Sequence, residues 1–247
     1  MNILPEFQMI IFGLPRTGSR SVSNFFIDAY DYKFQEGGLA LEKFPVSGNR
    51  LHHWTPDSLD PSKPIRPNLI KKELLMLLDP KYENYTWISL MRHPVTRLKS
   101  MLNWFCNAGS KNMNERGFNV FSEPNQATML CDYHAMHILD KIRPIDYWLR
   151  LEYIKDDILS IPQIAKDINS SKKTHEALVK NFDNNLFTQP DYDKTRVSIN
   201  DFSSKVLDYL YEEYKYIYKQ FNYEKIPRGY NFNENSEFNN KKQLIHA

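Results

Sequence analysis

The sequence predicts an α/β fold in which a central parallel β-sheet is flanked by helices. Two observations carry this. Twice, a short apolar run ends at a turn and gives way to apolar residues at helical spacing: residues 8–12 lead through Gly13-Leu14-Pro15 to Val22, Phe25, Phe26 and Ala29, and residues 86–91 lead through Pro94 to Leu98, Met101, Leu102 and Phe105. The length of 247 residues also suits one sizeable core, and no stretch reads as a linker that would divide it. A single domain over residues 1–230 is expected, followed by a polar, flexible tail at 231–247.

In chain order, the strand at 8–12 and its helix come first. Residues 33–35 and 50–53 read as short strands, and residues 61–67 hold three prolines and must be irregular. Residues 68–78 place leucines and isoleucine on one helix face. The strand at 86–91 then feeds the helix at 95–105. Residues 107–122 are polar and loop-like, and a helix follows from about 125 to 140. "YWLRLE" reads as a strand, residues 157–168 and 174–182 as helices, and residues 202–221 as one long helix with an apolar stripe from Val206 to Phe221.

The charge is nearly balanced, with 32 basic and 30 acidic residues and a net +2. Nothing general favours nucleic acid, so affinity for anions has to come from local clusters. The first residues lack the basic start and long apolar run of a signal peptide, and no segment is long enough to span a bilayer. Two cysteines, Cys106 and Cys131, are too few for a disulfide framework, which suits a reducing compartment. A soluble, cytoplasmic protein without membrane partners is expected. Cys131, His134 and His137 do not read as a metal site, because successive steps of three residues fan them around a helix.

"IIFGLPRTGSRS" (10–21) carries the chemistry. Gly13 and Gly18 stand at the spacing of the nucleotide loop G-x-x-x-x-G-K-[ST], but Ser19 occupies the lysine position and Arg20 the magnesium-binding hydroxyl position. A strand–glycine turn–helix junction gathers backbone N–H groups and the positive helix end around one point, so an anion fits there. Arg16 supplies charge, Thr17, Ser19 and Ser21 supply hydroxyls, and the pattern points to anion binding by arginine without a metal. A second basic cluster, from Arg92 through Arg97 to Ser100, stands at the next strand-to-helix junction. In a parallel sheet both junctions share one edge, where ligands sit in such folds. Arg92 suits a forked pair of hydrogen bonds to a phosphate-type group, with Ser100 adding another.

These segments resemble those of the sulfotransferases that use 3′-phosphoadenosine 5′-phosphosulfate. "FGLPRTGSRSV" is similar to the 5′-phosphosulfate loop and "SLMRHPVTRLKSMLNWF" to the 3′-phosphate motif R-x-P-x-x-R-x-x-S. "DYWLRLEYIKDDI" resembles the family's R-x-E-x-[LI]-x-x-D segment, "DINSS" its H-x-N-x-S stretch, and "YEEYKYIYKQFNY" its terminal helix, so the likeness covers about residues 8–223. "HHWTPDSL" is similar to a segment of the carbohydrate-type branch, with His53 at the family histidine. Departures are His52 for a lysine, Pro56 for an alanine, Asp167 for a histidine and Arg16 for the commoner loop lysine.

The resemblance implies a P-loop-NTPase-like sheet, the sulfotransferase fold, and sulfuryl transfer from that donor to a hydroxyl of a carbohydrate or related acceptor, with no metal. Arg16 and residues Thr17, Gly18, Ser19, Arg20 and Ser21 would hold the 5′-phosphosulfate, and Arg92 with Ser100 the 3′-phosphate. His53 is the candidate base because imidazole titrates near neutrality. His52 and Glu36 stand in reserve, and Trp54 is a candidate platform for the acceptor. A nucleotide-dependent kinase with a degenerate loop and a binding-only protein that keeps the cofactor pocket are the alternatives.

Overall fold

The computed structural model describes residues 2–14, 16–31, 80–107, 124, 133, 140–141, 143–182 and 197–228. They fall into two compact units, Met1–Arg92 with His134–Phe187, and His93–Tyr133 with Thr188–Ala247. The strands expected at 33–35 and 50–53, the helix at 68–78, the loop at 108–122, most of the helix at 125–140 and the tail at 231–247 lie outside the described residues.

The first unit is built on strands β1 (Asn2–Leu4), β2 (Met9–Gly13), β3 (Thr86–Met91) and β4 (Tyr147–Arg150), side by side in that order. β2, β3 and β4 are parallel, with Ile11 opposite Ile88 and Leu90 opposite Leu149. β1 runs antiparallel along the edge, Leu4 opposite Met9, joined to β2 through the short turn Pro5–Phe7. Sequence periodicity misses β1, because three residues are too few to show alternation.

Helices α1 (Ser19–Tyr30), α3 (Ile154–Leu159), α4 (Pro162–Ser170) and α5 (Lys172–Phe182) flank this sheet. Met9, Ile11, Ile88, Leu90 and Leu149 from the sheet form one buried cluster with Val22, Phe25, Phe26 and Ala29 of α1 and with Ile154, Ile158, Ile164 and Leu178 of the later helices. Each phenylalanine so buried is worth about 1.5–3 kcal/mol in transfer free energy. The opposite sheet face is also buried: Phe12 packs its ring 5.1 Å from Trp87, and the Arg143 guanidinium lies 4.5 Å over the Trp87 ring. Burial on both faces explains why β2 and β3 read as nearly continuous apolar runs rather than alternating ones.

The helix expected at 157–168 is two helices. Ile161 is extended (φ −85°, ψ 111°) because the following Pro162 disfavours helical backbone before it, and Pro162 then opens α4. α1 and α5 pack together, tied at the rim by Asp28. Its carboxylate accepts from Lys180 Nζ at 3.0 Å and Asn181 Nδ2 at 2.8 Å. Lys173 pairs with Asp31 at the end of α1.

The second unit holds α2 (Pro94–Asn107), α6 (Ser204–Glu213) and α7 (Lys215–Phe221). Pro94 sits at the first helical position, where its missing N–H costs nothing. His93 caps this helix: Nδ1 accepts the Val95 N–H at 3.2 Å, so the proton lies on Nε2, which donates to the Glu224 carbonyl at 2.7 Å. Asn103 of α2 exchanges two hydrogen bonds with the Val197 backbone. The long helix expected at 202–221 breaks at Tyr214 (φ −106°, ψ 26°), whose buried ring meets Tyr133 edge-on at 5.2 Å. No proline or glycine marks that break; the apolar stripe runs through it. Among the described residues, no helix is long and apolar enough to cross a membrane.

Candidate functional site

The C-terminal ends of the three parallel strands lie level. Gly13 is opposite Leu90 and Met91 is opposite Arg150, so the segments that follow β2, β3 and β4 emerge along one edge of the first unit's sheet. This is the edge at which parallel α/β sheets hold ligands.

The segment after β2 is held in an unusual conformation. Arg16 is exposed and has φ 67°, in the left-handed region that a non-glycine residue seldom adopts. Gly18 follows with φ 97° and stands at the N-cap of α1. A Cβ on Gly18 would lie 2.5 Å from Leu151 Cδ1, and one on Gly13 would lie 3.0 Å from Leu90 Cδ1. Gly18 is therefore favoured by its left-handed backbone and by the close approach of Leu151, whereas a side chain at Gly13 would need Leu90 to give by only a few tenths of an ångström. Val22 N–H makes the first helical bond, to the Gly18 carbonyl at 3.2 Å. The N–H groups of Ser19, Arg20 and Ser21 precede it at the positive helix end, where an anion is favoured.

Thr17 does not stand with those donors. It is fully buried, its hydroxyl donates to the Leu14 carbonyl at 2.7 Å, and its N–H points at the same oxygen at 3.3 Å. It ties the loop from inside, and the sequence gives no sign of this because a threonine in a phosphate-type loop suits either job.

Arg92, just beyond β3, reaches back to this loop and donates from Nη1 to the Arg16 carbonyl at 3.1 Å. The structure thus brings Arg16 and Arg92 together with the backbone of Gly18, Ser19, Arg20 and Ser21, while Thr17 is turned inward. Ser100 lies on α2 in the second unit. Glu36, His52, His53 and Trp54 lie outside the described residues, as do Cys131, His134 and His137. Arg97, part of the same basic run as Arg92, is buried with its guanidinium 4.6 Å over the Tyr133 ring.

At the end of β4, Arg150 is engaged by Asp157. The carboxylate accepts from Nη2 at 2.6 Å, from Nε at 2.9 Å and from the Arg150 backbone N–H at 2.7 Å. The arginine and aspartate of "RLEYIKDD" therefore brace each other, and Leu151 between them is the side chain that meets Gly18. Sequence reasoning did not foresee this strut, although both residues stand in a segment it singled out. Other basic residues near the motifs are also paired: Lys172 with Glu176 at 3.6 Å and Arg228 with Glu224 at 2.8 Å.

Chemically, the loop offers the exposed Arg16, a set of helix-end amides and the neighbouring Arg92 guanidinium, a constellation suited to an oxyanion. No family model, curated protein or solved structure matches this chain.

Proposed function

We propose that this chain is a sulfotransferase that moves a sulfuryl group from 3′-phosphoadenosine 5′-phosphosulfate to a hydroxyl of a carbohydrate or related acceptor, on a sheet of P-loop-like design. One observation carries the reading: the two basic segments meet, Arg92 donating to the Arg16 carbonyl at 3.1 Å where β2 and β3 end side by side. The resemblance in sequence gives each of these segments one end of the same donor.

The residues fit such a group. Arg16 and the amides at the start of α1 suit the 5′-phosphosulfate, and Arg92 suits the 3′-phosphate, to which the sequence resemblance alone assigns Ser100 as well. Thr17 serves by shaping the loop, since its hydroxyl and N–H are turned onto Leu14. When bound, the donor supplies a sulfuryl group: its bond to the bridging phosphate oxygen breaks as the acceptor oxygen bonds to sulfur, leaving adenosine 3′,5′-bisphosphate and a sulfate ester. His53 takes the proton of the acceptor hydroxyl, with His52 and Glu36 nearby in sequence and Trp54 against the acceptor. Arg16 stabilises negative charge on the leaving side and gives up no proton, because a guanidinium stays protonated in proteins. Magnesium has no part in this scheme, since charge is offset by arginine and amides.

Calorimetry with adenosine 3′,5′-bisphosphate, in magnesium and in chelator, tests the cofactor; equal binding in both is expected. Donor consumption over a glycan panel tests transfer. There, His53→Ala should lower turnover on the order of 10²-fold or more, and Arg16→Ala should weaken both binding and turnover. Magnesium-dependent binding of ATP without binding of the bisphosphate would replace this reading with a kinase.

A further inference from the structure

We infer that Arg92 is a positioning residue for the first loop: it fixes the Arg16–Thr17 peptide and so sets the direction in which Arg16 and the first amides of α1 are presented. The inference rests on the reading above in taking that loop as the site of the 5′-phosphosulfate.

The peptide joining Arg16 to Thr17 is gripped at both ends. Its carbonyl accepts from Arg92 Nη1 at 3.1 Å, and its N–H points at the Leu14 carbonyl at 3.3 Å, where the Thr17 hydroxyl adds a tie at 2.7 Å. Arg16 on one side of this peptide has φ 67°, and Gly18 beyond it has φ 97°. A left-handed non-glycine residue persists only where its surroundings over-determine it. Turning this peptide would redirect the Arg16 side chain and relax the approach to α1. A guanidinium is suited to the task because its donors lie in a fixed planar fork, whereas an ammonium is a point charge on a flexible stem.

A residue that only held the 3′-phosphate would be indifferent to a ligand lacking that group. The test is therefore calorimetry on the full chain with adenosine 5′-phosphosulfate, which has no 3′-phosphate, beside adenosine 3′,5′-bisphosphate. For Arg92→Ala the 5′-phosphosulfate should bind about tenfold more weakly, the loss expected for one hydrogen bond from a charged group. Arg92→Lys, which keeps the charge, should recover only part of this. Unchanged binding of the 5′-phosphosulfate by Arg92→Ala, with the bisphosphate weakened, would overturn the positioning role and leave the proposed function standing. Full recovery by Arg92→Lys would also overturn it, showing that charge alone matters. A wild-type chain that binds the 5′-phosphosulfate in an Arg92-dependent way, yet gains nothing from a 3′-phosphate, would keep the positioning role and remove the proposed donor. Binding of neither nucleotide by the wild type would overturn both.

Discussion

Gly18→Ala probes the turn on which the whole loop depends. Two costs add. At φ 97° an alanine carries the left-handed penalty, about 1–2 kcal/mol. Its Cβ would also come within 2.5 Å of Leu151 Cδ1, a side chain only 4% exposed and so with little room to withdraw. Overpacking of this kind costs about 1–3 kcal/mol. The expected loss is thus about 2–5 kcal/mol, a large share of the roughly 5–15 kcal/mol typical of a folded domain. Urea unfolding followed by the fluorescence of buried Trp87 measures it, and a double-mutant cycle with Leu151→Ala separates the two parts. Leu151→Ala itself should cost about 2–5 kcal/mol. In that background Gly18→Ala should cost only the backbone share, about 1–2 kcal/mol. The same cost in both backgrounds would show that Leu151 does not confine Gly18, and a loss below about 0.5 kcal/mol would refute the conformational argument too.

Two further outcomes follow from the ion pairs of the first unit. Asp157→Asn keeps the shape of the brace on Arg150 but removes its charge, and should cost about 1.5–3 kcal/mol by urea midpoint, the range for hydrogen bonds to charged groups; an unchanged midpoint would count against a structural role for the pair. For Asp28, burial pushes the carboxyl pKa up, but hydrogen bonds from Asn181 and Lys180 and the charges of Lys180 and Lys173 outweigh it, holding the group below its ordinary value of 3.8. The unfolded chain therefore takes up this proton first on acidification, so the contribution is present above 3.8 and is lost as pH falls through the lower folded value. Stability measured between about pH 5 and pH 3 should fall less steeply for Asp28→Asn than for wild type; parallel curves would contradict the assignment.

The elements that position the site were legible wherever neighbours in sequence carry the signal. β3 spans the residues expected, and β2 and α1 differ from expectation only at their ends, because apolar spacing and turn residues are local properties. The break at Ile161–Pro162 was also written locally, in the proline, although spacing alone suggested one helix. The break at Tyr214 was not, since it comes where a buried ring meets Tyr133 far away in sequence. His53, Glu36, His52 and Trp54 remain assigned by sequence pattern.

By itself, then, the sequence determined that two basic strand-to-helix junctions exist and that glycines shape the first. Only the tertiary structure decided how those residues divide the work. Arg16 adopts a backbone that its residue type disfavours, Thr17 turns inward onto Leu14, Arg92 holds the Arg16 carbonyl, and Arg150 is occupied by Asp157. The reason is physical: periodicity and turn chemistry act between residues a few positions apart. Which carbonyl a guanidinium meets, or which leucine fills the space beside a glycine, depends on strands brought into register across 76 residues for Arg92 and Arg16, and on none of their neighbours in the chain.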